Sequence, residues 1–136
     1  MAFGEQIGEE EGSVTAFRVV KEGFGVKVES QFQGHGTILG TPFVDYSTYV
    51  SEYRPDGNFV GTADGVIFSQ EAEAASYTGT GVGHMLGKGG AASWRGALYF
   101  FSASPHFAQL NSIAVLFEFE IDETARNMTI KYYEWK

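Results

Sequence analysis

Ile113-Ala114-Val115-Leu116-Phe117-Glu118-Phe119-Glu120-Ile121-Asp122 is the stretch that decides the fold. Ile113, Val115, Phe117, Phe119 and Ile121 alternate with polar positions that include Glu118, Glu120 and Asp122. Successive side chains of a strand point to opposite faces, so this stretch reads as a strand with one face in a core and the other in water. The same period of two recurs in 25–39, where Val26, Val28, Phe32, Gly34, Gly36 and Ile38 oppose Lys27, Glu29, Gln31, Gln33, His35 and Thr37. Neither segment has the i, i+3, i+4, i+7 spacing of an amphipathic helix.

Outward from these two segments, turn signals at Glu22-Gly23, Gly40-Thr41-Pro42, Pro55-Asp56-Gly57, 70–73, 87–90, 104–111 and 122–127 divide the chain. They leave segments of roughly 13–21, 25–39, 43–54, 58–69, 74–86, 90–103, 112–122 and 128–136. Arg54-Pro55-Asp56-Gly57-Asn58 reads as a hairpin turn, Pro55 fixing its own φ and Gly57 free to turn left-handed. One short helix is expected near 105–110, with Ser104 as N-cap, Pro105 in the first position and Asn111 as the left-handed terminator. Long sequential strands joined by short turns favour antiparallel neighbours, and closing them removes both sheet edges. The expected fold is therefore all-β: a single eight-stranded antiparallel up-and-down barrel over 1–136, with a two-sheet sandwich as the alternative.

Composition narrows the functions. The chain has 136 residues, 43% hydrophobic and 19% charged, which is the balance of one folded domain and not of a disordered chain. Its net charge is −8, and Glu5, Glu9, Glu10 and Glu11 crowd residues 1–12 without a Lys or Arg, so that segment is expected as an acidic, solvated, frayed end. No basic stripe is present to meet phosphates, which argues against nucleic-acid and membrane-surface partners. The absence of cysteine excludes disulfides, thiolate nucleophiles and cysteine metal sites. His35, His84 and His106 stand apart, so neither a metal nor another cofactor is expected. Gly87-Lys88-Gly89 is not a phosphate-binding loop, because Val82 occupies the required upstream glycine position and Gly89 the serine or threonine position. With neither a basic, apolar leader nor a long apolar run, the chain reads as cytoplasmic.

Two features remain. Glycines alternate within strands, at Gly34 and Gly36, at Gly61 and Gly65 around Ala63, and at Gly79, Gly81 and Gly83. They serve either curvature and close packing of neighbouring aromatics, or an interior left open for a ligand. In 93–101 both faces are apolar, Trp94, Leu98 and Phe100 opposing Arg95, Tyr99 and Phe101; 128–136 likewise sets Met128, Ile130, Tyr132 and Glu134 against Thr129, Lys131, Tyr133 and Trp135. One barrel buries one face, so the outer aromatics predict a homo-oligomer.

The run from Gly79 to Lys136, above all GTGVG, GKGGAASWRGALYF, SASPHFAQLNSIAVLFEFEID and YYEWK, resembles an uncharacterised bacterial family with an allene-oxide-cyclase-like barrel. The resemblance extends more weakly to QFQGHGTILGT and the Pro55-Asp56-Gly57 turn. It implies an eight-stranded, self-associating barrel and brings no established activity; allene oxide cyclases themselves bind an apolar lipid epoxide in the barrel mouth. None of their catalytic motifs matches residue by residue.

The functional expectation is a barrel that binds a small apolar molecule, walled by Trp94, Phe117 and Tyr132, with Glu134 supplying polarity. Its catalytic form is an isomerase or cyclase, with Glu134 as a desolvated general base. Against that role, the position of Glu134 near the open chain end favours a solvated residue or a partner of Arg95. The alternative function is a non-catalytic interaction or structural barrel acting through the outer aromatics. A barrel filled by side chains, without a pocket of a few hundred Å³, counts against the interior reading.

Overall fold

A computed structural model describes residues 3–21 and 25–136. Eight strands, β1 (Phe3–Lys21), β2 (Lys27–Ile38), β3 (Thr41–Tyr53), β4 (Asn58–Phe68), β5 (Ala74–Met85), β6 (Ala92–Phe101), β7 (Ala114–Ile121) and β8 (Asn127–Trp135), form a closed barrel in chain order. Every neighbour is antiparallel, and β8 returns to pair with β1. The alternation read from 113–122 holds, with Val115, Phe119 and Ile121 in the core. Arg95 meets Glu118 at 3.8 Å and Glu120 at 2.9 Å on the outer wall.

The turns follow from local chemistry. Leu39 (φ 50°) and Gly40 (φ 78°) make a two-residue hairpin between β2 and β3. Two consecutive positive φ values match the twist of the flanking strands, and only glycine takes the second without cost. At the β3–β4 hairpin Gly57 N donates to Arg54 O (3.0 Å) and Asn58 N to Asp56 Oδ1 (3.0 Å). Between β7 and β8, Asp122 Oδ1 accepts from Thr124 Oγ1 (2.6 Å) and Asn127 N (3.2 Å), while Oδ2 accepts from Asn127 Nδ2 (2.7 Å). The Glu22-Gly23 turn lies outside the described residues.

Two segments differ from the sequence reading. Residues 3–12, expected as a frayed acidic end, form the first half of β1 and pair on one side with β8 and, from Gly8, on the other with β2. Barrel closure is the reason: without these residues β2 and β8 would both present bare edges. The expected helix begins later, as a single 3₁₀ turn over Ala108–Ser112 with no side-chain cap, so Ser104 caps nothing. Asn111 does not end a helix in the left-handed region. Its side chain accepts from Ser102 N (2.7 Å) and donates to Ser102 O (2.8 Å), folding the β6–β7 connection over the barrel end. Phe107 and Leu110 are thereby buried against the same core as Ile38, Phe43 and Val115.

Candidate functional site

The glycine ladders carry neighbouring side chains. A Cβ on Gly65 would strike the Tyr77 ring, one on Gly83 would lie 2.6 Å from the Trp94 indole, and one on Gly96 would lie 2.8 Å from Phe117 Cε2. Bare backbone is thus the floor on which Tyr77, Trp94 and Phe117 lie. The Glu10 carboxyl likewise occupies the space where a Gly34 side chain would stand.

That carboxyl is the unexpected feature of the interior. Glu10 on β1 is 3% exposed and Asp45 on β3 is 0% exposed. Tyr132 Oη donates to Glu10 Oε1 at 2.6 Å; Tyr77 Oη donates to Asp45 Oδ1 at 2.9 Å, with Oδ2 at 3.2 Å. Burial, followed by the neighbouring Asp45 charge, pushes the Glu10 carboxyl well above the usual carboxylate range. Burial also raises Asp45, to about 6, against the opposing effect of hydrogen bonds from Glu10 and Tyr77. The two carboxyls titrate as one unit that keeps a proton at neutral pH, carried on Glu10 and donated to Asp45. Glu10 Oε2 receives no hydrogen bond among the described residues, and a carboxyl oxygen so placed is satisfied by carrying that proton itself. Burial, and then the nearby carboxyls, hold the Tyr77 and Tyr132 phenols far above their ordinary range, so both remain neutral donors.

The chain of polar groups abuts an apolar cavity. Phe32, Tyr49, Trp94, Phe117 and Phe119 supply aromatic walls, with Tyr77, Tyr132 and Ser47 on its border. The Ser47 hydroxyl links Tyr77 to the cavity and also lies 3.4 Å from Asp64 O. The cavity measures about 50 Å³, room for a water or a very small group. Ligand sites span roughly 300–1,000 Å³, so side chains largely fill this interior.

Of the residues read from the sequence, Trp94, Phe117 and Tyr132 border this cavity. Glu134 does not: it is half-buried near the end of β8, opposite Val115, while Arg95 is engaged by Glu118 and Glu120. Sequence reasoning missed Glu10 and Asp45. Glu10 lay hidden in a run of three glutamates, although Gly8, Glu10, Gly12 and Val14 keep the period of two. Asp45 alternates with Phe43, Ser47 and Tyr49, a face whose polar members masked its inward direction.

On the outer wall Tyr99, Phe101 and Trp135 are each more than half exposed. A shallow depression of about 850 Å³ crosses β3 to β7, floored by Thr62, Thr80 and Ala97. Among the described residues no three His, Asp or Glu side chains gather into a metal-binding group, and no helix is long and apolar enough to cross a membrane.

No protein-family model matches the chain, and neither does any curated protein. Among solved structures, a protein of unknown function from Clostridium acetobutylicum ATCC 824 superposes with a TM-score of 0.84 at 14% identity, covering 100% of both chains. A conserved protein of unknown function from Rhodopseudomonas palustris superposes with a TM-score of 0.80 at 12% identity, covering 96% of this chain and 95% of its own. The class is therefore a closed eight-stranded barrel shared by proteins of unknown function, and at such identities the likeness carries the fold alone.

Proposed function

We propose that the barrel binds a small, mainly apolar molecule bearing one hydroxyl or carbonyl group. The apolar part would lie among Trp94, Phe117 and Tyr49, and its polar group would meet Ser47 at the end of the tyrosine–carboxyl chain. The observation that carries this reading is the buried Glu10–Asp45 pair beside an aromatic cavity. Burying two carboxyls costs stability that an apolar pair would not, and strongly perturbed acids beside a cavity are a recurrent feature of functional sites. Isomerisation or cyclisation, as in the allene-oxide-cyclase-like barrels the sequence resembles, is the catalytic form of the proposal. The proton held by Glu10 and Asp45 would then be exchanged through Tyr77 and Ser47.

Occupancy requires the walls to part, since about 50 Å³ admits no such molecule as it stands. That small volume favours the second reading, a non-catalytic barrel acting through Tyr99, Phe101 and Trp135. Trp94 and Trp135 are the only tryptophans, so in a Trp135→Phe background the emission of Trp94 reports the cavity directly. A panel of small cyclic alcohols and ketones should include members that change this emission saturably, and Ala63→Leu, which fills the cavity wall, should abolish the response. No saturable change across the panel, or a response that survives Ala63→Leu, would reject the interior site and leave the outer surface.

A further inference from the structure

The ladder between β1 and β8 ends at Ser13 and Asn127, extended by one bond from Val14 N to Arg126 O (2.7 Å). Beyond it β1 continues to Lys21, and from Ala16 it pairs with β2 alone among the described residues. The hairpin thus rises past the closed part of the barrel with one bare backbone edge. Natural edges are blunted by charge, proline or shortness. This one carries Arg18 and Lys21 and is irregular between Val14 and Ala16 and between Val19 and Lys21, yet between those features it bears Phe17 (58% exposed), Val19 (62%) and Val20 (42%). Phe17 lies opposite Ser30, which is buried, so it faces the barrel mouth and finds no wall there.

We infer that the bare edge of β1, from Ala16 to Lys21, is a self-association surface that pairs antiparallel with the same edge of a second copy. An open edge of N–H and C=O groups is complementary to an extended strand, and a second copy presents an identical edge about a two-fold axis. Charge selects the register. An axis through Arg18 would set two guanidinium groups directly opposite each other, which is unfavourable. An axis through Val19 pairs Val19 with its own copy, Arg18 with Val20, and Phe17 with Lys21, whose stem and ammonium suit an aromatic neighbour. It also keeps the incoming strand clear of β8, which leaves β1 beside Ser13. Arg18 keeps its own Glu29 partner at 3.3 Å throughout.

Sedimentation of the full chain from about 1 to 100 μM, with amide exchange read at 16–21, tests the inference. The wild type should form a dimer, and exchange at 16–21 should slow at least tenfold between the lowest and highest concentrations. Phe17→Lys and Val19→Lys, both at exposed sites, should give monomers whose thermal midpoint at low concentration matches the wild type. A wild type that stays monomeric at 100 μM overturns the inference. So does a dimer that survives both substitutions but is broken by Phe101→Lys, since that places the contact on the outer aromatics.

Discussion

Asp45→Asn should make the protein more stable at pH 7.5, and the size of the gain follows from the burial of the carboxyl. Folding raises the Asp45 carboxyl from 3.8 to about 6, a shift of roughly two units. At about 1.36 kcal/mol per unit, ionised Asp45 costs the folded state about 3 kcal/mol. The folded protein binds this proton more tightly than the unfolded chain does. Its contribution is therefore full below about pH 4, declines as pH rises toward 6, and is flat above. An amide of nearly the same shape still accepts from Tyr77 Oη and carries no charge to desolvate. Glu10 loses the acceptor for its proton and returns part of the gain, so about 3 kcal/mol is a ceiling. For a chain of 136 residues this corresponds to about 10 °C in the midpoint. Urea and thermal melts of both proteins at pH 4.5 and 7.5 measure it, because everything the two share cancels in the difference. The variant should be close to wild type at pH 4.5 and clearly ahead at pH 7.5. A variant less stable than wild type at pH 7.5, or a gap equal at both pH values, would refute the shared-proton account.

Gly65→Ala should destabilise by about 1–3 kcal/mol, since its methyl would enter the Tyr77 ring and loosen the bond to Asp45; near-ultraviolet dichroism and urea melts report both. Leu110→Ala, at a fully buried position of the 3₁₀ turn, should cost about 2–5 kcal/mol, measured as a shift in urea midpoint at unchanged slope. The Asp122 carboxyl is held well below the usual range, chiefly by hydrogen bonds from Thr124 and Asn127, so its contribution is present above about pH 4 and lost as pH falls further. Asp122→Ala should therefore destabilise the barrel at neutral pH, and the difference from wild type should shrink below pH 4 in acid melts.

How far the sequence reached is clear from particular residues. The alternation in 113–122 needed only one wet face, and the Pro55-Asp56-Gly57 turn only its local chemistry, so both were legible. Tyr46 and Tyr49 stand an odd number of positions apart on one strand, and the structure accordingly places Tyr49 on the cavity and Tyr46 outside. The acid pair was not legible, because composition treats a glutamate as solvated unless a partner is known. Glu10 acquires its partners from positions 45 and 132, and that proximity exists only once the barrel closes. In the sequence the glycines signal curvature or space; the rings lying on them are set by cross-strand register, which no single segment encodes.

The seam between β1 and β8 joins residues more than a hundred positions apart, Glu10 and Tyr132 among them. During synthesis β1 leaves the ribosome long before β8, so Glu10 must wait, hydrated and charged, for the donor that lets it be buried. Until then β1 and the newest strand are both raw edges, the condition in which β-rich chains cross-pair with their neighbours. The acidic run Glu9-Glu10-Glu11 places charge on that first edge while the barrel is open, and charge on an exposed edge opposes such pairing. Closing the seam is what buries Glu10, and that burial raises its carboxyl well above the usual carboxylate range.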